Sequence, residues 1–155
     1  MSEISEILTI DAVDAGLTAA NKKALFHELA AAASALTGLP AKPIATALTR
    51  REKAGSTGFG GGAAIPHGKV EGLDKVFGYF ARLSQPVDFD AVDRLPVDLV
   101  FLLLSPAEAG ADHLRALASV SRAFRDAATL AKLRGARSKD ALFALLAGEE
   151  KRDAA

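Results

Sequence analysis

The chain has 155 residues, of which half are hydrophobic and none is cysteine. Its 19 Lys and Arg residues balance 19 Asp and Glu residues, so the net charge indicates neither a nucleic-acid partner nor an anionic membrane surface. The absence of cysteine excludes disulfides, thiolate zinc sites and cysteine nucleophiles. This length predicts one compact domain.

The acidic first residues lack the basic and apolar regions of a signal peptide. The longest apolar stretch, residues 99–104, is too short to cross a bilayer. We therefore expect a cytoplasmic protein without membrane insertion. We expect its single domain to cover residues 1–155, with a core over about 8–146 and a charged tail over 149–155.

The chain opens with an entry segment, residues 1–16. A short edge strand is predicted within it by three apolar residues, Ile7, Leu8 and Ile10. Apolar residues then recur at helical spacing, which predicts a helix over 18–36 with Thr18 as its N-cap. Gly38 and Pro40 end this helix.

Pro43 suits the first turn of a helix and predicts a second one over residues 43–53. This helix aims Arg51 and Glu52 at the segment that follows. Five of the 13 glycines lie within residues 55–62, and this density argues against an ordinary helix or strand there.

The second half begins with residues 76–83, which are rich in strand-forming types, and the Gln85-Pro86 pair is expected to break this strand. Residues 87–93 are polar and turn-like. Residues 97–104 are almost all apolar, which is typical of a central strand buried on both faces.

A long amphipathic helix is predicted over residues 111–127, and a last helix over 139–146 with Ser138 as its cap and Gly148 as its end. The inner side of the long helix is predicted to carry Leu114, Leu117, Val120, Ser121 and Phe124. Helices interleaved with strands indicate an α/β sheet domain with helices on both faces.

The glycine-rich segment fits neither common nucleotide-binding loop. Residues 58–63 match the dinucleotide pattern formally, but a helix precedes them and Pro66 follows too soon for the required helix. The P-loop pattern fails because five residues separate Gly62 from Gly68, and Val70 replaces the hydroxyl residue. Backbone amides that form an anion nest remain one interpretation, and a flexible loop remains the other.

His67 is the candidate nucleophile, because a neutral imidazole near pH 7 can attack phosphorus and then pass the phosphoryl group onward. Pro66 makes the approach rigid and Gly68 gives a partner room; the alternative is an ordinary histidine at a strand end. Nearby, the guanidinium of Arg51 is able to bind a phosphate through two N–H groups; the alternative is that Arg51 belongs to a solvent-exposed run of charged residues. The hydroxyls of Ser56 and Thr57 are able to donate hydrogen bonds to a phosphate or, alternatively, to cap a turn.

His113 follows Asp112, a good cap residue, and so falls in the first turn of the predicted helix over 111–127. A helix N-terminus favours anions, so two histidines that face each other there could stabilise a phosphoryl group. The alternative is a surface histidine that caps the helix. His27 lies off the apolar stripe of its helix, and we expect it to be exposed.

Phe59 lies at the crest of the glycine-rich segment, where an apolar ring suits a docking surface for a protein partner or folds inward. Asp88, Asp90 and Asp93 match no metal-ligand spacing, so no metal site is predicted.

The Arg51-Glu52 pair and residues 55–60 and 64–69 together resemble the active-site signature of fructose/mannitol-type (type 2) enzyme IIA domains of the bacterial phosphoenolpyruvate phosphotransferase system. Residues 96–103 and 113–118 resemble the same family. The resemblance covers residues from about 8 to 146. The chain is most similar to the stand-alone nitrogen-regulatory members.

The resemblance implies a mixed β-sheet flanked by helices and a phosphohistidine intermediate formed without a cofactor. His67 would be the phosphoacceptor, charged by a histidine phosphocarrier protein that enzyme I charges from phosphoenolpyruvate. His113 would be the second active-site histidine, assisted by a further set, Arg51, Ser56, Thr57, Gly58 and Gly68.

Three functions are open at this point. The first is a phosphocarrier whose phosphorylation state controls regulatory targets such as transporters or sensor kinases. The second is a sugar-specific enzyme IIA that passes phosphate to an enzyme IIB. The third is an interaction module that never carries phosphate, although a module without chemistry has no evident need for His67, His113 and Arg51 together.

Overall fold

The structure is a computed structural model that describes residues 4–148. The charged tail predicted over residues 149–155 lies outside the described residues. The helices are α1 (Ile4–Ile7), α2 (Lys22–Thr37), α3 (Ala41–Lys53), α4 (Ala111–Arg125), α5 (Ala127–Gly135) and α6 (Lys139–Phe143). The strands are β1 (Val13–Leu17), β2 (Gly58–Gly60), β3 (Ala63–Ala64), β4 (His67–Val70), β5 (Phe77–Val87) and β6 (Val97–Pro106).

The six strands form one mixed sheet in the order β1-β5-β6-β3-β2, and β4 also pairs with β6. β5 lies antiparallel to β6, whereas β3 and β4 lie parallel to it. Both faces of β6 are buried, since residues 99–104 have no exposed surface. The predicted central strand and the predicted layered α/β architecture are therefore confirmed.

Helices cover the two faces of the sheet. Phe80 and Phe101 are paired across β5 and β6, and both rings pack edge-on against Phe124 of α4. Their chain neighbours Ala81 and Val100 point the other way and are equally buried. α2 packs against β5 and α3 against β4, so the pair forms a second helical layer.

The start of the chain differs from the prediction. The short strand expected around Ile7, Leu8 and Ile10 is wrong: Ile4–Ile7 is helical, Ile10–Ala12 is a 3₁₀ turn, and the edge strand is β1. The backbone N–H of Leu8 donates to the carbonyl of Ile4, and both side chains are buried. Their spacing of four residues is helical, not extended.

Two helix boundaries also differ. Thr18 is not the N-cap of α2; Asn21 is, and its side-chain oxygen accepts a hydrogen bond from the N–H of Ala24 at 2.8 Å. Gly38 ends α2 with a φ of 80°, as its position predicted. α3 begins at Ala41 and has Pro43 in its first turn.

The expected break of β5 at Gln85-Pro86 is wrong, because β5 continues to Val87 through an irregular register after Arg82. Its pairing with β1 ends at Leu83, so within residues 4–148 the end of β5 beyond that point has a neighbouring strand on one side only. A proline without an N–H is tolerated there.

The expectation that the glycine-rich segment contains no strand is also wrong. β2 lies within it and forms a small antiparallel hairpin with β3, which follows it. Gly61 and Gly62 make the turn with φ values of 69° and 79°, which glycine adopts without strain. The glycines therefore shape a defined hairpin.

The predicted helix over 111–127 is confirmed as α4, although it ends two residues earlier than expected and a further helix follows it. α4 ends at Arg125, and the side chain of Asp126 caps α5, which was not predicted. Leu114 is exposed instead of buried, and Leu117 and Ser121 are half-buried. The buried face carries His113, Ala116, Ser119, Val120 and Phe124.

The cap of α4 is Gly110, so Asp112 lies inside the first turn and the expected Asp112 cap is wrong. Ser138 does cap the last helix by accepting from the N–H of Ala141. The segment Ala144–Gly148 continues that helix with π geometry.

Gly78 of β5 has no space for a side chain, because an added Cβ would lie 2.8 Å from the ring of buried Phe101. We expect Gly78→Ala to lower the free energy of unfolding by about 1–3 kcal/mol through overpacking. Urea denaturation measures this, with Gly16→Ala as the control, since open space surrounds Gly16. Equal stability of the two variants would contradict this account of β5–β6 packing.

Candidate active site

The two histidines that the sequence singled out face each other. β4 pairs with β6 so that His67 lies opposite Leu103 and Lys69 opposite Ser105. The hydroxyl of Ser105, fully buried at the end of β6, lies 2.6 Å from Nδ1 of His113 in the first turn of α4. The imidazole centroids are 5.7 Å apart, with the rings tilted by 47°.

The backbone fixes the tautomer of His67. Its Nδ1 lies 2.7 Å from the carbonyl oxygen of Ile65. A carbonyl oxygen only accepts hydrogen bonds, so Nδ1 of the neutral ring carries the proton. The lone pair is then on Nε2, which is the nitrogen available as a nucleophile.

His113 is held in the same way, through Nδ1, by the Ser105 hydroxyl. This hydroxyl is able to donate or to accept. His113 is 9 % exposed, whereas His67 is half-buried. Both rings are thus anchored on their Nδ1 side.

Burial lowers the pKa of His67, and the positive charge of Arg51 lowers it further. The carbonyl of Ile65 and the negative charge of Glu52 raise this pKa, but they do not cancel the effect of burial. Burial also lowers the pKa of His113, and positive charge on His67 and Lys69 adds to the effect. Both imidazoles are therefore neutral near pH 7, the state in which a histidine is nucleophilic.

Glu52 organises the entry to the glycine-rich hairpin. Its carboxylate, only 7 % exposed, accepts hydrogen bonds from the N–H and hydroxyl of Thr57 at 3.0 and 2.6 Å and from Lys22 at 2.9 Å. Burial alone raises its pKa, but the hydrogen bonds from Thr57 and Lys22 hold the pKa below its usual value. Glu52 remains a charged clamp between α3 and the hairpin.

Neither Glu52 nor Ser105 was among the site residues predicted from the sequence. The only signal for Glu52 was its place in the Arg51-Glu52 pair. The only signal for Ser105 was a hydroxyl at the end of an otherwise apolar strand.

The remaining predicted residues hold the hairpin to its surroundings. Arg51 donates to the carbonyl of Gly55 at 2.8 Å. The hydroxyl of Ser56 donates to the carbonyl of Phe89 and accepts from the N–H of Gly58. A Cβ on Gly58 would lie 2.9 Å from Phe89 and Ala91, so only glycine allows this close packing.

Gly68 lets α3 approach β4, because an added Cβ would lie 3.2 Å from Cβ of Ala47. Phe59 is half-buried and stacks on Phe124 with centroids 6.5 Å apart. The outer part of the Phe59 ring remains at the surface.

The other candidates lie elsewhere. His27 is exposed on α2, as expected. Asp93 accepts hydrogen bonds from backbone N–H groups, including that of Gly61, and within residues 4–148 no cluster of three or more acidic or histidine side chains is arranged to bind a metal. Among those residues, no helix is both long and apolar enough to cross a membrane.

Comparison with known proteins gives a consistent picture. Residues 6–149 match the family model described as phosphoenolpyruvate-dependent sugar phosphotransferase system, EIIA 2. The chain is 47 % identical over 144 residues to a nitrogen regulatory protein of Bradyrhizobium diazoefficiens, an alignment that covers 93 % of this chain and 94 % of the relative.

Two further proteins are similar. A fructose-specific EIIA component of Haloferax volcanii is 41 % identical over 101 residues, 65 % of this chain and 66 % of the relative. The crystal structure of the nitrogen regulatory protein IIA-Ntr from Neisseria meningitidis superimposes with a TM-score of 0.88 at 36 % identity, covering 94 % of this chain and 99 % of that one.

We expect an NMR titration to give His67 and His113 pKa values below about 6.5 and to show the Nδ1–H tautomer for neutral His67. The same histidines in urea-unfolded protein provide the reference. Because folding lowers these pKa values, the unfolded chain binds more protons below about pH 6.5. Stability is therefore lost as the pH falls from there through the folded-state pKa values. Folded-state values above the unfolded reference would contradict the geometry.

Proposed function

Because the chain belongs to the EIIA type 2 family of the phosphoenolpyruvate-dependent sugar phosphotransferase system, we propose that His67 is its phosphoacceptor. The phosphoryl donor is a histidine phosphocarrier protein. The observation that carries this proposal is the tautomer of His67: its Nδ1 is bonded to Ile65, which leaves the Nε2 lone pair next to His113.

In the transfer step, the lone pair of Nε2 forms a new N–P bond while the N–P bond of the donor breaks. The electron pair of the broken bond returns to the donor imidazole. Nδ1 keeps its proton throughout, and the positive charge that develops on the ring is stabilised by the carbonyl of Ile65. The ring needs no prior deprotonation, because it is neutral near pH 7.

Two groups assist the transferred phosphoryl group, whose equatorial oxygens carry the developing charge. Arg51, which already acts electrostatically on His67, neutralises these oxygens. His113 donates from Nε2–H when the hydroxyl of Ser105 donates to its Nδ1. Ser105 is then the positioning residue that aims His113.

The hairpin residues act as support. Thr57 is bonded to Glu52, and Ser56 and Gly58 are bonded to each other and to Phe89. Gly68 keeps α3 close to β4. Phe59, stacked on α4 but open on its outer side, contributes an apolar contact for the incoming phosphocarrier.

The regulatory role follows the relatives. Two of the similar proteins are named nitrogen regulatory proteins and cover more than nine-tenths of this chain. The phosphorylation state of His67 thus controls binding to cytoplasmic regulatory targets, such as transporters or sensor kinases. The dianionic group added at a neutral site is the physical switch.

A sugar-specific role is the second candidate, favoured by the similarity to the Haloferax volcanii fructose-specific component. In that case His67 passes its phosphoryl group to an enzyme IIB. An interaction module that never carries phosphate is the remaining alternative.

We expect the wild-type protein to gain one acid-labile phosphate, seen by intact mass, when incubated with phosphoenolpyruvate, enzyme I and the histidine phosphocarrier. His67→Ala should gain none. His113→Ala should be phosphorylated more slowly, on the order of a hundredfold, because one charge-stabilising donor is lost. His27→Ala, altered at an exposed helix position, is the matched control and should behave as wild type.

Phosphate on His67→Ala at the wild-type level would refute the assignment of the nucleophile. No phosphate on the wild type, with active upstream proteins, would instead favour the interaction module.

The phosphorylated protein also separates the regulatory role from the sugar-specific one. Mixed with purified fructose- and mannitol-type enzyme IIB, it should keep its phosphate over a time in which a sugar-specific enzyme IIA loses it. Rapid appearance of phosphorylated enzyme IIB would support the sugar-specific role instead.

A further inference from the structure

A groove of about 760 Å³ runs between α2 and α3 on the outer surface of the molecule. Three cations line it, Lys42, Arg50 and Lys53, together with the imidazole of His27. Among residues 4–148, the side chains that line this groove include no carboxylate. Its floor is made of small side chains, Ala30, Ala41 and Ala45.

Positive charge is concentrated in this part of a chain whose net charge is zero. Residues 22–53 contain six Lys and Arg against two Glu, while the chain as a whole has equal numbers of each sign. Glu52 is already bonded to Lys22 and Thr57. In the described part of the chain, no ion pair involves Lys23, Lys42, Arg50 or Lys53.

Helix stability explains only part of the arrangement: Arg50 and Lys53 lie in the last turn of α3, where the helix dipole favours cations, but Lys23 and Lys42 do not. Lys23 and Lys42 lie in the first turns of α2 and α3, and neither first turn contains an acidic residue. The helix dipole disfavours cations at that end. The charges of Lys23 and Lys42 therefore destabilise the helices that carry them, and no ion pair within the described fold offsets this cost.

The groove faces away from the candidate active site. On α3, Ala47 packs against Gly68 of β4, and Arg51 lies nearly below it on the same side. At 3.6 residues per turn, Lys42, Thr49 and Lys53 project from roughly the opposite side of the helix. A partner in the groove would leave His67 open.

We propose that this groove binds an acidic helical segment of a protein partner. From Lys42 to Lys53 the groove runs about 16 Å along α3, which matches about three turns of a helix. The alanine floor allows close approach of a helix backbone, and the three cations, all on α3, match carboxylates along one side of that helix. Among the described residues, those that line the groove include no Phe, Tyr or Trp on which bases would stack, which favours a protein over a single-stranded nucleic acid.

The identification of this partner as a regulatory target rests on the proposed function. The binding of an acidic helix to the groove does not depend on it. A partner held in the groove would sit beside, and not on, the site of phosphorylation. Binding and phosphoryl transfer could then occur on the same molecule.

The test uses an Ala-based helical peptide of about eighteen residues with Glu at every fourth position, and a twin with Lys in place of Glu. We expect the Glu peptide to bind below about 1 mM at low salt and to weaken as salt rises. In an NMR titration, the amide shifts should change along α2 and α3 around the groove and not around His67 and His113. The Lys twin should not bind.

The matched variants are Lys42→Glu/Arg50→Glu/Lys53→Glu in the groove and Lys75→Glu/Arg137→Glu/Lys139→Glu at exposed positions elsewhere. The groove variant should lose about tenfold or more in affinity, since each reversal replaces an attraction by a repulsion. The control should keep wild-type affinity. If the charge reversal unfolds α3, the neutral Lys42→Gln/Arg50→Gln/Lys53→Gln variant provides the same comparison.

Equal loss in both variants would overturn the proposal, because net charge alone would then explain binding. So would shifts centred on His67, no saturable binding, or tighter binding of a single-stranded RNA of equal charge. A dimer of the wild type that the groove variant abolishes would assign the groove to a second copy and also overturn it. Both variants should still accept phosphate at His67, so failure of the groove is distinguishable from failure of the proposed function.

Discussion

The burial of β6 on both faces is the constraint on which the rest of the structure depends. This strand pairs with β5 on one side and with β3 and β4 on the other, and its central residues have no exposed surface. β4 takes its register from β6, so β6 places His67; Ser105 at its end anchors His113. A one-residue slip of β4 would turn His67 to the opposite face of the sheet.

The two imidazoles show how burial prepares a nucleophile. For His67, burial outweighs the carbonyl of Ile65 and the charge of Glu52, both of which favour the protonated ring. The neutral ring is reactive but leaves nothing to offset the negative charge of an arriving phosphoryl group. In the proposed transfer step that task falls to Arg51 and His113, and the positive charge of Arg51 that lowers the pKa of the free histidine is the same charge that stabilises the phosphorylated one.

Glu52 and the charges around it divide α3 into two sides with different tasks. On the inner side, Ala47 and Arg51 adjoin β4 and the site, while the buried Glu52 carboxylate holds Thr57 and Lys22. On the outer side, Lys42, Arg50 and Lys53 line a groove to which no carboxylate of the described residues contributes. One helix therefore adjoins the candidate active site on one surface and the proposed binding groove on the other, because its residues face the two in turn with the helical period.

The sequence by itself determined the chemical types and the strongest local patterns. The apolar run of β6, the glycine φ of Gly38, the Ser138 cap and the choice of His67 and His113 are all local properties of the chain, and the resemblance to the enzyme IIA family rests on the same residues.

The tertiary structure alone decided which nitrogen of His67 is free, that Glu52 clamps the hairpin, that Leu114 is exposed and that β5 passes through Pro86. These four features depend on partners distant in sequence or on neighbouring backbone geometry. The Ile65 carbonyl selects the nitrogen of His67, and the Lys22 ammonium binds the Glu52 carboxylate. The face that α4 turns to β6 leaves Leu114 exposed, and β5 passes through Pro86 where its pairing with β1 has ended. Residue type fixes what a side chain is able to do, whereas long-range packing fixes its direction, its burial and therefore its protonation.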